Sequence, residues 1–262
     1  MNIKRSTSFI WIFLICITGL MPLKTTMAQY RLPLSFAQSD SMHIKDDLNN
    51  FASHFGVHFG DIPGTVFQRE LEYPRIQFFY EQEAAYTLNQ NRYNDKSSGA
   101  MTSTGMFTLL GDLTSNMQLI LRYNPMPLDG KAAVLNGYGA RYRPSVGTDS
   151  LHSLSLGVMI QKLASSNFYS KSVDFSLGYN WFLPRWTIHL DATGSFVNGH
   201  FDLQDIPAIG GNVSTDFERR IIHLGVGLQH QWRNVTFGGR LRSNGFIWSG
   251  ILQIGWSIPS KG

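Results

Sequence analysis

From Arg75 onward the chain repeats one pattern, an alternation of apolar and polar side chains with a period of two. Phe246, Trp248, Leu252, Ile254, Trp256 and Ile258 share one face of a segment whose other face carries Ser249, Gln253, Gly255 and Ser257. Upstream, Ile222, Leu224, Val226 and Leu228 alternate with His223, Gly225, Gly227 and Gln229. The same holds for Trp186, Ile188, Leu190 and Ala192 against Thr187, His189, Asp191 and Thr193, and for Val173, Phe175, Leu177, Tyr179 and Trp181 against Asp174, Ser176, Gly178 and Asn180. Successive side chains of a strand point to opposite sides of a sheet, so each run is a strand with one greasy and one polar face. Length then separates two architectures. Strands of a soluble sandwich run about five or six residues, whereas a tilted strand needs about 9 to 11 to cross the hydrocarbon of a bilayer. These runs reach the second length, and a membrane barrel follows.

Ten such segments are predicted, near 74–88, 103–111, 116–123, 132–142, 151–162, 171–182, 186–197, 218–231, 235–242 and 246–258, with eight and twelve strands as the alternatives. The even number suits an up-and-down antiparallel barrel. No stretch after residue 28 is an apolar transmembrane helix, and only helices and closed barrels satisfy every backbone polar group in lipid. Outer connections are expected near 89–102, 124–131, 163–170, 198–217 and 243–245, and shorter periplasmic turns near 112–115, 143–150, 183–185 and 232–234. Trp181, Trp186, Trp232, Phe246, Trp248 and Trp256 fall towards strand ends, where aromatic rings settle at the level of the lipid headgroups.

Residues 1–28 read as an export signal: Lys4 and Arg5 precede an apolar stretch from Phe9 to Leu20, and Thr26-Met27-Ala28 forms a small-residue cleavage site. Cleavage near Ala28 removes Lys4, Arg5 and Lys24 with no acidic residue, so the formal net charge of +4 falls by those three to +1. The basicity thus belongs to the targeting segment and gives no argument for nucleic-acid binding, which needs a clustered basic patch on the folded domain. The single cysteine, Cys16, leaves with it, which excludes disulfides and thiolate metal sites from the remainder. Residues 29–73 form a separate N-terminal segment in which Ile44, Leu48, Phe51 and Phe55 recur at helical spacing, with Gly60, Pro63 and Gly64 as a linker, and 74–262 form the barrel.

The signal segment, the alternating strands, the aromatic girdle and a final apolar strand ending at Trp256-Ser257-Ile258 resemble the outer-membrane β-barrels of Gram-negative bacteria, over residues 74–258. The resemblance implies an outer-membrane location, lipid as the surrounding solvent and insertion by the barrel-assembly machinery. Where that class ends on an aromatic residue, this chain continues through Pro259 to Gly262.

The polar faces carry the candidate chemistry. Asp174, His189, Asp191 and His223 all fall on inward faces, and a histidine beside a carboxylate and a hydroxyl can form a nucleophile and base. The motifs of barrel hydrolases do not match: His152-Ser153-Leu154-Ser155 places its serines on the wrong face, and His189-Leu190-Asp191 reverses the Asp-x-His order of barrel proteases. The better expectation is a polar network of Asp174, His189, Asp191, His223, Arg240 and Arg242 filling a narrow lumen, with the arginines paired to Asp191 or Asp174. No metal site and no cofactor are expected, since His54 and His58 lack a third ligand at suitable spacing. The function expected is structural or interactive, through outer loops and above all 198–216 with its extracellular ligand, against a narrow small-solute pore and a barrel hydrolase.

Overall fold

The computed structural model describes residues 74–87, 102–128, 131–144, 151–164, 168–206, 211–244 and 247–259. The expected signal, the helical segment at 29–73 with His54 and His58, and Phe246 lie outside these described residues. Ten strands follow in order: β1 (Arg75–Thr87), β2 (Thr102–Asp112), β3 (Met117–Leu128), β4 (Lys131–Tyr142), β5 (His152–Ala164), β6 (Phe168–Phe182), β7 (Trp186–Ile206), β8 (Gly211–Trp232), β9 (Val235–Ser243) and β10 (Ile247–Pro259). Each pairs antiparallel with its chain neighbours, and β1 pairs with β10, so the sheet is a closed up-and-down barrel. No helix among the described residues is long and apolar enough to cross a membrane.

Closure sets the geometry. Ile76 faces Ile258 and Phe78 faces Trp256 across the last seam. A row of partners beginning at Arg75 runs through Asp112, Gln118, Arg141, Gly157, Ser176, Thr193 and His223. Extrapolated past the β9–β10 hairpin, it returns to β1 at its far end, beside Thr87 and not at Arg75. Such a stagger requires strands tilted by about 35–45° from the barrel axis.

The period-two pattern becomes an inside and an outside. Ile222 is 72% exposed, Leu224 63% and Trp256 60%, and Leu121, Tyr138, Leu156, Phe175, Leu177 and Leu190 share their outward face. Monomeric soluble proteins rarely expose contiguous apolar surface beyond a few hundred Å². The outward run of β7 from Trp186 to Phe196, at about 3.3 Å per residue and about 40° of tilt, rises about 25 Å, the height of the apolar band of a membrane barrel. Trp181, Trp186, Trp232 and Trp256 stand exposed around one rim, here called the turn rim, and Trp248 is exposed towards the other. Phe79, Leu110, Ile120 and Met159 point inward and form a buried apolar cluster within the lumen. Room for Phe79 comes from Gly255, where a Cβ would collide with the phenyl ring.

Turns at that rim are short. Backbone bonds close 113–117, where the amides of Leu113 and Thr114 both donate to the Met117 carbonyl, and 183–186, where Leu183 donates to the Trp186 carbonyl. The β8–β9 hairpin turns at Arg233, whose φ of 55° is the left-handed conformation that tight hairpins demand and glycine usually supplies. At the opposite rim the expected loops prove to be largely strand. Residues 198–216, expected as a loop, belong to β7 and β8, whose ladder continues to Ile206↔Gly211 with an irregularity after Leu203. The connections expected at 124–131 and 163–170 likewise shrink to 129–130 and 165–167. β8 meets β9 only from Leu224 onward, so its first half overhangs β9 and forms with β7 a projecting ribbon that becomes two-stranded beyond Phe201, where β7 leaves β6.

Candidate functional site

Two groups of functional side chains emerge, one inside the barrel and one on the projecting ribbon. Inside, Arg75, Gln77, Glu81 and Glu83 share the inward face of β1, since Ile76, Phe78 and Tyr80 take the outward one. Among the described residues, five buried arginines (Arg75, Arg122, Arg141, Arg240 and Arg242) and five buried carboxylates (Glu81, Glu83, Asp112, Asp174 and Asp191) occupy the inward face. Arg75 donates from Nε and Nη2 to Asp112 Oδ2 at 2.9 and 2.6 Å, and Gln118 Nε2 donates to Asp112 Oδ1 at 2.6 Å. Arg141 Nη1 extends this chain to Gln118 Oε1 at 3.2 Å. Higher in the barrel, Glu81 Oε2 accepts from Arg122 Nη2 and Thr108 Oγ1, both at 3.1 Å.

The residues singled out from the sequence are all buried and inward. Arg240 clamps Asp191, with Nε 3.2 Å from Oδ1 and Nη2 bonded to Oδ2. This clamp needs Gly225 between them, where a Cβ would fall on the Asp191 carboxylate. Arg242 takes a partner not anticipated: it reaches past β10 to Glu83 Oε1 on β1, at 2.8 Å. Asp174 accepts instead from Gln161 Nε2 at 2.9 Å and Ser172 Oγ at 3.0 Å. His189 stands with Nδ1 2.6 Å from Asn180 Oδ1 and Nε2 3.4 Å from Asp191 Oδ1. Its ring nitrogens thus face an amide and a carboxylate already held by arginine, and no hydroxyl is placed on them as nucleophile. His223 lies one strand on, opposite Thr193. Among the described residues no group of three or more His, Cys, Asp or Glu is placed to hold a metal ion.

The second group was not foreseen. On the outward face of the ribbon, His200 Nδ1 lies 2.7 Å from Asp216 Oδ1, and Ser214 Oγ lies 3.2 Å from His200 Nε2. Register brings them together, since His200 faces Asp216 and Ser214 is two residues before it on β8. The order is that of a hydroxyl nucleophile, a base and an orienting carboxylate. The surroundings differ from those of an efficient triad: the Asp216 side chain is 88% exposed and the His200 side chain 35%, so water competes for both. Sequence reading missed the group because its members sit on two strands, in a stretch taken for a loop with no face to share.

No family model matches the chain, and no curated protein does. Several solved structures are similar. The outer membrane protein OprG from Pseudomonas aeruginosa matches at 10% identity and a TM-score of 0.40, over 73% of this chain and 99% of that one. An outer membrane channel from Pseudomonas putida F1 matches at 12% identity and 0.39, over 76% and 100%. Ail, the attachment invasion locus protein of Yersinia pestis, matches at 10% identity and 0.32, over 72% and 100%. The class rests on the wall itself: a closed antiparallel ladder, apolar outside and ion-paired within, is a transmembrane β-barrel.

Removing one partner of a buried ion pair leaves a charge in low dielectric and costs about 3–5 kcal/mol, whereas replacing both by apolar groups of similar volume is often neutral. Asp191→Leu is therefore expected to lower barrel stability by that amount in urea unfolding from detergent micelles, and Asp191→Leu with Arg240→Met to recover most of it. Equal losses in the single and double variants would show that the cost does not come from leaving Arg240 buried and unpaired.

Proposed function

We propose that the chain is an integral protein of a Gram-negative outer membrane, exported, cleaved near Ala28 and inserted among outer-membrane lipids by the barrel-assembly machinery. Its barrel acts as a closed anchor that presents the β7–β8 ribbon to an extracellular ligand. What supports this reading is the set of buried ion pairs on the inward face. Arg75, Arg122 and Arg240 are tied to Asp112, Glu81 and Asp191 inside the wall, Arg242 spans from β9 to β1, and Phe79, Leu110, Ile120 and Met159 fill the space between. A solute would have to break charge-assisted bonds in low dielectric to pass. Barrels of about 16–18 strands leave an aqueous channel, whereas about eight give an interior just wide enough for side chains to fill, and ten stand nearer the second.

In a planar bilayer the folded protein is expected to give no discrete conductance steps. Arg122→Ala combined with Arg240→Ala, which removes two of the cross-links, is expected to introduce them. Regular steps from the unaltered protein would replace the anchor by the narrow pore.

A barrel hydrolase is the second reading, favoured by the Ser214–His200–Asp216 chain and not by His189. Attack of Ser214 Oγ on an ester carbonyl would pass its proton to His200 Nε2, which would return it to the departing alcohol as the ester C–O bond breaks; water would then hydrolyse the acyl-serine to the free acid and Ser214. A fluorophosphonate probe reads this directly. Covalent labelling of Ser214, lost in Ser214→Ala and weakened in His200→Gln, supports the hydrolase; no labelling of the folded barrel removes it.

A further inference from the structure

The outward face changes character within a single row of the ribbon-side wall. One row of partners reads Leu121, Tyr138, Ile160, Val173 and Phe196, all apolar and exposed to the surroundings. The next row towards the ribbon rim reads Asn136, Lys162, Lys171, Asn198 and Glu218. Partner rows climb the tilted wall and do not mark one height, but on β5 and β6 the outward face passes locally from Ile160 and Val173 to Lys162 and Lys171, as an apolar band gives way to a headgroup layer.

On this boundary Lys162 and Lys171 are direct cross-strand partners, both exposed. Like charges facing each other across an antiparallel pair destabilise the ladder. Neither ammonium has a carboxylate partner among the described residues, and the only described contact is that of Lys171 Nζ with the Tyr169 ring, 5.7 Å from its centroid. The carboxylate of the same row, Glu218, stands beyond Asn198 on β8. Asn136 flanks Lys162 on β4, with an amide able to donate, and Arg220 adds a cation on the row below, over Phe196 at 5.8 Å.

We propose that Lys162 and Lys171 form a phosphate-binding site for the headgroup of an anionic lipid on the outer wall of the barrel. The lysine stems lie along apolar wall while their ammonium groups meet the headgroup layer. A phosphate between them turns the repulsion of the pair into attraction from both sides, worth about thirtyfold in lipid preference for two lysines near a membrane surface. The inference rests on the membrane reading. It adds that the wall selects its neighbouring lipid, independently of what the ribbon binds.

The test uses the full chain folded in neutral detergent, with phosphatidic acid and phosphatidylcholine as probes and native mass spectrometry to count lipid retained. The unaltered barrel is expected to retain phosphatidic acid about thirtyfold over phosphatidylcholine, and Lys162→Gln with Lys171→Gln to abolish the difference. In lipid-free micelles the same double variant is expected to melt no lower than the parent, since the repulsion is gone, while losing the upward shift in Tm that phosphatidic acid gives the parent. Equal retention of both lipids by the parent overturns the site. So does a parent preference that the double variant keeps, or one that inorganic phosphate displaces at matched concentration, which would indicate a free-phosphate site. Failure of the parent to insert into vesicles of either lipid overturns the membrane reading itself.

Discussion

A backbone amide or carbonyl in hydrocarbon has no water to turn to, and each one left unsatisfied costs several kcal/mol. The pairing of β1 with β10 is what meets that constraint here. Without this seam two strands would carry unpaired edges through the membrane, and the other pairings would build only an open sheet. Closure with a stagger then dictates the tilt, the tilt dictates how many outward residues span the apolar band, and the alternation of side chains dictates that whatever is not outward must fit inside a narrow tube.

The contents of the tube follow from the same constraint. Inward polar side chains of the described strands are largely buried, and many bond one another. A lone arginine there would be untenable, and the arginines answer carboxylates from other strands: Arg75 with Asp112, Arg122 with Glu81, Arg240 with Asp191, Arg242 with Glu83. These bonds cross strand to strand and hold the wall at fixed separation.

Much of this was legible in the residues and some was not, for physical reasons. Ten strands and the inward placement of Asp174, His189, Asp191, His223, Arg240 and Arg242 follow from parity, because a period of two leaves each side chain only two directions. Parity does not give register. Arg242 was expected beside Asp191 or Asp174, but the stagger carries it to Glu83 on a strand two positions away around the wall. The inward set on β1, from Arg75 to Glu83, was equally readable by parity and was passed over. Residues 198–216 were misread because the pattern inverts beyond the membrane: Asn198, His200 and Asp202 face out, while Val197, Phe201 and Phe217 are buried. An apolar-out rule tuned to lipid loses the strand at that point, and with it the Ser214–His200–Asp216 group.

The central claim is a closed barrel whose wall is solvated by lipid, and heat-modifiability tests it most directly. The chain purified in mild detergent is expected to migrate faster on a gel before boiling than after, and to show β-rich circular dichroism that boiling destroys. A chain that stays soluble without detergent and shows no mobility shift would contradict the account and leave a water-soluble β-protein in its place.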